Sequence, residues 1–103
     1  MNKEFLSFEQ AIALKELGFD EPVIAMYKEE FKKDLHPTMY WSKDNRNSMW
    51  IEGIISAPTY SQAFRWLYYK LDIKDGIMPL DTETQDSLLK ELIYKVSSKH
   101  LLV

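Results

Sequence analysis

The chain has no cysteine among its 103 residues. Disulfide bonds, thiolate nucleophiles and cysteine-ligated metal sites are therefore excluded. Long apolar runs are also missing: the longest stretch without a charged residue, Gly53 to Phe64, is too short and too polar to span a bilayer. Glu4 interrupts the amino-terminal stretch, where a secretory signal would need continuous apolar residues. We therefore expect a cytoplasmic protein that makes no membrane contact.

Positive charge is in deficit, and motifs for cofactor binding are missing. A formal net charge of −3 argues against general nucleic-acid binding, which needs a positive surface to displace phosphate counterions. Nucleic acid is accordingly not expected as a partner. The sequence has no P-loop, dinucleotide fingerprint, zincin motif or serine elbow, so we expect neither a cofactor nor a metal site.

What is present is the composition of an ordinary globular protein, with 46% hydrophobic and 28% charged residues. A chain of this length can build one hydrophobic core and has no room for a second. The sequence therefore predicts one small domain over residues 1–103.

The first helix has clear start and stop signals. Ser7 and Gln10 have the spacing of a capping box, in which the serine oxygen accepts from the amide three residues on and the glutamine reaches back. The helix is predicted over Phe8–Leu17. Gly18 is then the expected left-handed residue, with Phe19 folding back as in a Schellman ending.

Residues 22–35 fit two interpretations. Val23–Tyr27, after Pro22, is a short apolar run that is typical of a buried strand. Helical spacing is shared by Ile24, Tyr27, Phe31 and Leu35. Together with the surrounding lysines and glutamates, that spacing slightly favours a helix. His36 and Pro37 end either element.

Two short strands are predicted next. Thr38–Trp41 predicts the first, and Met49–Ile55 the second, antiparallel to it. Ser42–Ser48 has turn chemistry, because Asn and Asp bond to their own backbone and tolerate left-handed conformations. Gly53 inside the second strand predicts a bulge.

A central helix follows Thr59, which with Gln62 repeats the capping-box spacing. Its predicted core stripe is Tyr60, Ala63, Phe64, Leu67 and Leu71. Its opposite side, which we expect to face solvent, carries Ser61, Arg65, Tyr68 and Asp72.

A third helix is predicted to begin at Asp81–Thr84, since acidic residues come first and lysines later, as the helix dipole favours. Its predicted buried stripe is Leu88, Leu89, Leu92, Ile93 and Val96. Together the elements predict an α+β fold of order α-β-β-α-α, with three helices packed on one side of a small antiparallel sheet.

Two motifs carry a family resemblance: Phe5–Ala11 continuing into Leu17–Pro22, and Ile55–Trp66. Together they resemble a family of small uncharacterised proteins common in gut Bacteroidales, their phages and their mobile elements. In that family the segment after the first proline is a strand, so the resemblance favours a strand over Val23–Lys28. The family's extra hairpin is reduced here to Ile73–Met78. The resemblance implies a genomic setting and no activity, substrate or catalytic residue.

Candidate catalytic groups are few. Asp34 and His36 form an Asp–His pair of the kind that orients a base, but no nucleophile lies beside them in the sequence. Glu52 interrupts an apolar strand, and strand alternation turns it outward. Because no constellation of acid, base and nucleophile can be assembled, we expect the chain not to be an enzyme.

Aromatic residues supply the candidate binding surface. Three Trp and six Tyr are many for so small a core, and Trp, Tyr and Arg are the residues most common at interface hot spots. Arg65, Tyr68 and Tyr69 occupy or border the polar side of the central helix, and Arg46 lies at the predicted hairpin tip. An alternative of equal weight is that Tyr69 and Trp66 flank the core with their polar ends wet.

The leading functional hypothesis is a non-enzymatic protein-binding or regulatory protein of phage or mobile-element origin, which acts through this surface on a protein partner or on a second copy of itself. The alternative is a small-ligand or nucleotide-binding protein with a pocket between the central helix and the sheet.

Overall fold

The computed structural model describes residues 5–28, 38–39, 47 and 53–101. Within these ranges the elements are α1 (Phe8–Glu16), β1 (Ala25–Lys28), β2 (Thr38–Met39), β3 (Ile54–Ser56), α2 (Tyr60–Lys70) and α3 (Thr82–Leu101). The predicted α+β class is confirmed, with an antiparallel sheet and the order helix, strands, helix, helix. The chain divides into two compact units, Met1–Thr59 and Tyr60–Val103. The single domain over residues 1–103 stays a prediction.

The caps of α1 form as the sequence predicts. Ser7 Oγ accepts from the Gln10 amide at 3.2 Å, and Gln10 Oε1 accepts from the Ser7 amide at 2.8 Å. Gly18 has φ +95°, and the amides of Gly18 and Phe19 donate back to carbonyls of the last turn at 3.0 Å each. This is the Schellman pattern, and it ends the helix because a left-handed residue cannot continue it.

Residues 22–35 fit either a strand or a helix from the sequence, and in the amino-terminal part of this range the structure shows the strand β1. Ala25, Met26 and Tyr27 are all buried, as expected for a short apolar run in the middle of a sheet. Residues 29–35, on which the helical alternative depended, lie outside the described residues.

The sheet order is β2-β1-β3, and β1 pairs antiparallel with both neighbours. The two strands that the sequence predicts to pair with each other are thus separated by β1, and they run in the same direction. The expected direct pairing was wrong because β1, a strand of four residues of which three are buried, lies between the other two strands and pairs with both.

The strand predicted over Met49–Ile55 is described from residue 53 onward. Gly53 lies in a turn with φ +79°, and β3 begins only after it. Gly53 therefore forms a left-handed turn immediately before β3 and does not form a bulge inside a strand. Of the first predicted strand, Thr38 and Met39 form β2, while residues 40–41 lie outside the described part of the chain.

The core of the amino-terminal unit lies between α1 and one face of β1 and β3. Its buried residues include Phe5, Ala11, Ala25, Tyr27, Ile55 and Ala57, with Phe8 and Ile12 packed against them. Tyr27 and Ile55 are register partners, so the period-two alternation of both strands brings their side chains to the same face. Tyr27 also donates its hydroxyl to the Leu6 carbonyl at 2.7 Å. Burial, and secondarily the charge of Glu9, raises the pKa of Tyr27 above 10.0.

Side chains occupy the edge of β3 that points away from β1. Lys15 Nζ donates to the Ile54 carbonyl at 3.3 Å, and the Ser56 amide donates to Asn47 Oδ1 at 2.8 Å. Asn47 Nδ2 in turn donates to the Phe19 carbonyl at 2.7 Å. Unpaired strand edges attract other strands, so these contacts protect this edge from unwanted pairing.

The carboxy-terminal unit is built from α2 and α3 packed together. Tyr60 donates its hydroxyl to Asp86 Oδ1 at 2.6 Å near one end of α2, and Lys99 Nζ donates to the Lys70 carbonyl at 2.9 Å near the other. The buried stripe of α3 follows its prediction in part: Leu89, Leu92 and Val96 are buried, while Leu88 and Ile93 are half-buried.

Candidate functional site

The candidate site is built on the outward side of α2. Ser61, Arg65 and Tyr69 are four residues apart, so they lie on one side of the helix, and all three are exposed. Phe64 and Leu67 point inward and are buried, as the apolar stripe predicts. The helix therefore has the rotation about its axis that the sequence indicates.

Trp66 belongs to the buried part of α2. Its side chain is 6% exposed, and Lys70 Nζ lies 5.2 Å from the centroid of its ring. An ammonium group at this distance is attracted to the electron-rich face of the indole ring, which is a cation–π interaction. Of the two aromatic residues weighed together in the sequence, Trp66 is buried and Tyr69 is 77% exposed, so only Tyr69 is available to a partner.

Tyr68 connects α2 to the segment that follows it, residues 71–81, which we call the connecting loop. Its hydroxyl donates to the Ile77 carbonyl at 2.6 Å, and its ring lies against Phe64 with 6.0 Å between ring centroids. The sequence places Tyr68 on the solvent side, whereas the structure shows it half-buried. The connecting loop covers it, a long-range contact that helical periodicity does not report.

The chain reverses direction at Asp72, the residue with φ +58°. The Asp72 amide donates to the Tyr69 carbonyl at 3.1 Å, and the Ile73 amide donates to the Tyr68 carbonyl at 2.9 Å. This is a second Schellman ending, with aspartate where glycine is the usual residue. The reversal directs the connecting loop back along α2.

The far end of the connecting loop is tied to α3. Gln85 Nε2 donates to the Pro79 carbonyl at 2.6 Å. Asp81 Oδ2 accepts from the Thr84 amide at 2.9 Å and from Thr84 Oγ1 at 2.6 Å, which makes Asp81 the cap of α3. These two hydrogen bonds favour the ionised carboxylate and hold the pKa of Asp81 below 3.8.

Gly76 packs directly on the ring of Tyr68. A Cβ atom at residue 76 would overlap the Tyr68 ring near its Cγ, Cδ2 and Cε2 atoms. The backbone of Gly76 does not have a positive φ, so glycine is required there by close approach and not by conformation. The connecting loop therefore contacts Tyr68 in two places: the Ile77 carbonyl accepts from its hydroxyl, and the Gly76 backbone packs on its ring.

An open groove of about 590 Å³ lies between the outward side of α2 and the connecting loop. We call it the aromatic groove. Its lining residues are Ser61, Phe64, Arg65, Tyr68, Tyr69, Asp72, Ile73, Lys74, Gly76 and Met78. Its volume is within the range of sites that hold a small molecule or a few side chains of a partner.

Charges of both signs line the aromatic groove. Arg65, Lys74 and Asp72 are all exposed, and Asp75 is exposed beside them. Within the part of the chain that the structure describes, no salt bridge engages any of these four groups. They can therefore pair with charges on a partner without first breaking an ion pair among those residues.

Apolar side chains continue beyond the groove. Five large ones that face solvent cluster in residues 69–80, and we call them the apolar strip: Tyr69, Ile73, Ile77, Met78 and Leu80. Ile77 is 76% exposed and Leu80 is fully exposed, yet neither lines the groove. Exposed apolar side chains that are concentrated in one segment in this way point to a site where another molecule binds.

The structure brings together three of the four predicted binding residues. Arg65, Tyr68 and Tyr69 all line the aromatic groove, while Arg46 lies outside the described residues. The sequence interpretation missed the contribution of the connecting loop, above all that of Lys74 and Ile77. The available signal was the number of large apolar residues in a segment that also contains Asp-Gly and proline, because such loops are usually polar.

The catalytic candidates give no site that can be described. Asp34, His36 and Glu52 lie outside the described residues. Among the residues that are described, no group of three His, Asp or Glu side chains is placed to hold a metal ion. Nor does this part of the chain contain a helix that is long and apolar enough to cross a membrane.

Comparison with known proteins adds no relative to these observations: no protein family, curated protein or solved structure gives a significant match to the chain.

Proposed function

We propose that the chain is a non-enzymatic protein-binding protein, whose docking surface is the aromatic groove together with the apolar strip. The observation that carries this proposal is the extent of the apolar surface. A small molecule seated in the groove would leave Ile77 and Leu80 in water, because neither residue lines it. A polypeptide covers both the groove and the surface beside it.

The energetics favour an apolar segment as the bound part of the partner. Removing apolar surface from water contributes roughly 25 cal/mol per Å². Tyr69 and Leu80 expose most or all of their surface in the free chain, so a partner that covers them recovers this contribution. Part of it is offset by the loss of rigid-body and side-chain freedom on association. An arginine beside an aromatic ring, as at Arg65 and Tyr69, is the usual composition of an interface hot spot.

The test is selection of peptides from a display library against the purified chain, followed by titration of the selected peptide. Arg65→Ala and Tyr69→Ala should each weaken binding at least about tenfold, which corresponds to about 1.4 kcal/mol. Tyr69 is preferable to Tyr68 for this test, because removing Tyr68 also releases the connecting loop.

Matched controls are available on α3. Tyr94 is an exposed tyrosine, at 72% against 77% for Tyr69, and Lys90 is an exposed cation. Tyr94→Ala and Lys90→Ala should leave the peptide affinity unchanged. Equal affinity for wild type, Arg65→Ala and Tyr69→Ala would show that the groove is not the docking surface.

The family resemblance supports a setting for this activity. If the chain is encoded by a phage or mobile element, its partner is encoded by that element or by the host cell. The resemblance names no partner, so peptide selection precedes any search among host proteins.

The volume of the aromatic groove favours a second candidate, binding of a small ligand such as a nucleotide. Tyr68 and Tyr69 would supply aromatic rings, and Arg65 and Lys74 would face a phosphate. A thermal-shift screen with a nucleotide library tests it. Ligand binding predicts a concentration-dependent rise in Tm that Arg65→Ala removes, and a flat response throughout would count against it.

A further inference from the structure

We infer that the occupant of the aromatic groove is a second copy of this chain, in a symmetric homodimer. The inference rests on the proposed function and names its partner. In a two-fold dimer the same surface patch is used by both copies, so it must be complementary to itself. The described surface carries features of shape and of charge that a second copy can match.

The complementarity of shape comes from the connecting loop. Gly76 and Met78 line the groove, while Ile77 between them projects into solvent at 76% exposure. One face therefore carries a concave apolar site and, directly beside it, an exposed apolar side chain of a size to enter such a site. In a symmetric pair, Ile77 of each copy faces the groove of the other.

The complementarity of charge comes from the groove's edge. Arg65 and Lys74 are cationic, Asp72 and Asp75 are anionic, and no salt bridge engages them within the described residues. A strongly acidic or strongly basic partner would meet like charges on this surface, and like charges brought together at an interface cost affinity. In a symmetric dimer, Arg65 and Lys74 of each copy can pair with the aspartates at residues 72 and 75 of the other copy.

The experiment is measurement of molar mass by sedimentation equilibrium over about 1 µM to 1 mM, which spans the affinities of ordinary weak and moderate dimers. The wild-type chain should pass from monomer to dimer as its concentration rises. Ile77→Glu should raise the dissociation constant at least about tenfold. Tyr94→Glu, at an exposed apolar position on α3, should leave it unchanged.

A charge exchange tests the symmetry itself. An acidic variant carries Arg65→Glu and Lys74→Glu, and a basic variant carries Asp72→Asn and Asp75→Lys. Asparagine is used at residue 72 because it tolerates positive φ. Each variant alone should be monomeric, and an equimolar mixture should form heterodimers. Circular dichroism checks that both variants are folded.

The outcomes separate this inference from the proposed function. A wild-type chain that stays monomeric at every concentration overturns the dimer, and so does a dimer that Ile77→Glu or either charge variant leaves intact. The peptide titration with Tyr69→Ala is then measured on the same samples. Peptide binding by a monomer would retain the proposed function with a different partner, whereas the loss of both would overturn both.

Discussion

Replacing Gly76 with alanine tests whether Tyr68 is held by the backbone of the connecting loop. The backbone of residue 76 has no positive φ, so alanine on its own would stabilise the chain by about 0.4–1 kcal/mol, because it restricts the unfolded state. The new methyl group would overlap the Tyr68 ring, and overpacking typically costs about 1–3 kcal/mol. We therefore expect Gly76→Ala to lower the free energy of unfolding by about 1–2 kcal/mol.

A double-mutant cycle isolates the contact. In a Tyr68→Ala background the ring is gone, and Gly76→Ala should then be neutral or stabilising by about 0.4–1 kcal/mol. The difference between the two backgrounds gives a coupling free energy of roughly 1–3 kcal/mol, within the range measured for residues in direct contact. Urea denaturation followed by circular dichroism at 222 nm supplies all four free energies of unfolding.

Gly18→Ala is the matched control. Residue 18 has φ +95°, and a Cβ atom there would meet nothing within 4 Å, so its cost comes from conformation alone. We expect Gly18→Ala to destabilise equally with and without Tyr68. A stabilising Gly76→Ala in the wild-type background would refute the packing of Gly76 on the tyrosine ring.

Three further changes test other parts of the chain. Asp72→Gly should stabilise it by about 0.5–1 kcal/mol in urea denaturation, because glycine accepts the φ of +58° without strain. Ser56→Ala should stabilise it by about 1 kcal/mol in the same assay, because the buried Ser56 hydroxyl has no hydrogen-bond partner among the described residues; a loss of stability would reveal a partner elsewhere in the chain. The pKa of Tyr27 is raised by folding, so the stabilisation that its protonated hydroxyl gives the folded chain is complete below pH 10.0 and is lost as the pH rises further. Tyr27→Phe should therefore flatten the alkaline fall in stability, and an unchanged slope would contradict this.

Local signals in the sequence predicted the helices well. The capping box at Ser7 and the left-handed Gly18 act within a few residues of the chain, so their consequences can be inferred without the fold. The same holds for the stripe that buries Phe64 and Leu67 and leaves Arg65 exposed. That stripe is why two exposed residues of the groove, Arg65 and Tyr69, could be identified from spacing alone.

Contacts between distant residues explain what the sequence left open. Residues 23–28 carry both a strand run and a helical spacing, and pairing with β2 and β3 selects the strand. No local pattern states that β1 lies between the other two strands. The path of the connecting loop is likewise non-local, since the bond from Tyr68 to the Ile77 carbonyl decides it. For this reason Lys74 and Ile77 were absent from the predicted surface.

The connecting loop links the stability of the fold to its capacity to bind. Two hydrogen bonds hold its backbone to the helices. The Tyr68 hydroxyl of α2 donates to the Ile77 carbonyl, and the Gln85 side chain of α3 donates to the Pro79 carbonyl. Because these bonds supply the order, the apolar side chains of Ile77 and Leu80 need not be buried to keep the loop in place. Ile77 and Leu80 stay exposed to water in the folded chain, so burying them against a partner contributes a favourable hydrophobic free energy to association. Substituting Leu80 should thus change affinity far more than stability, whereas substituting Tyr68 should change both.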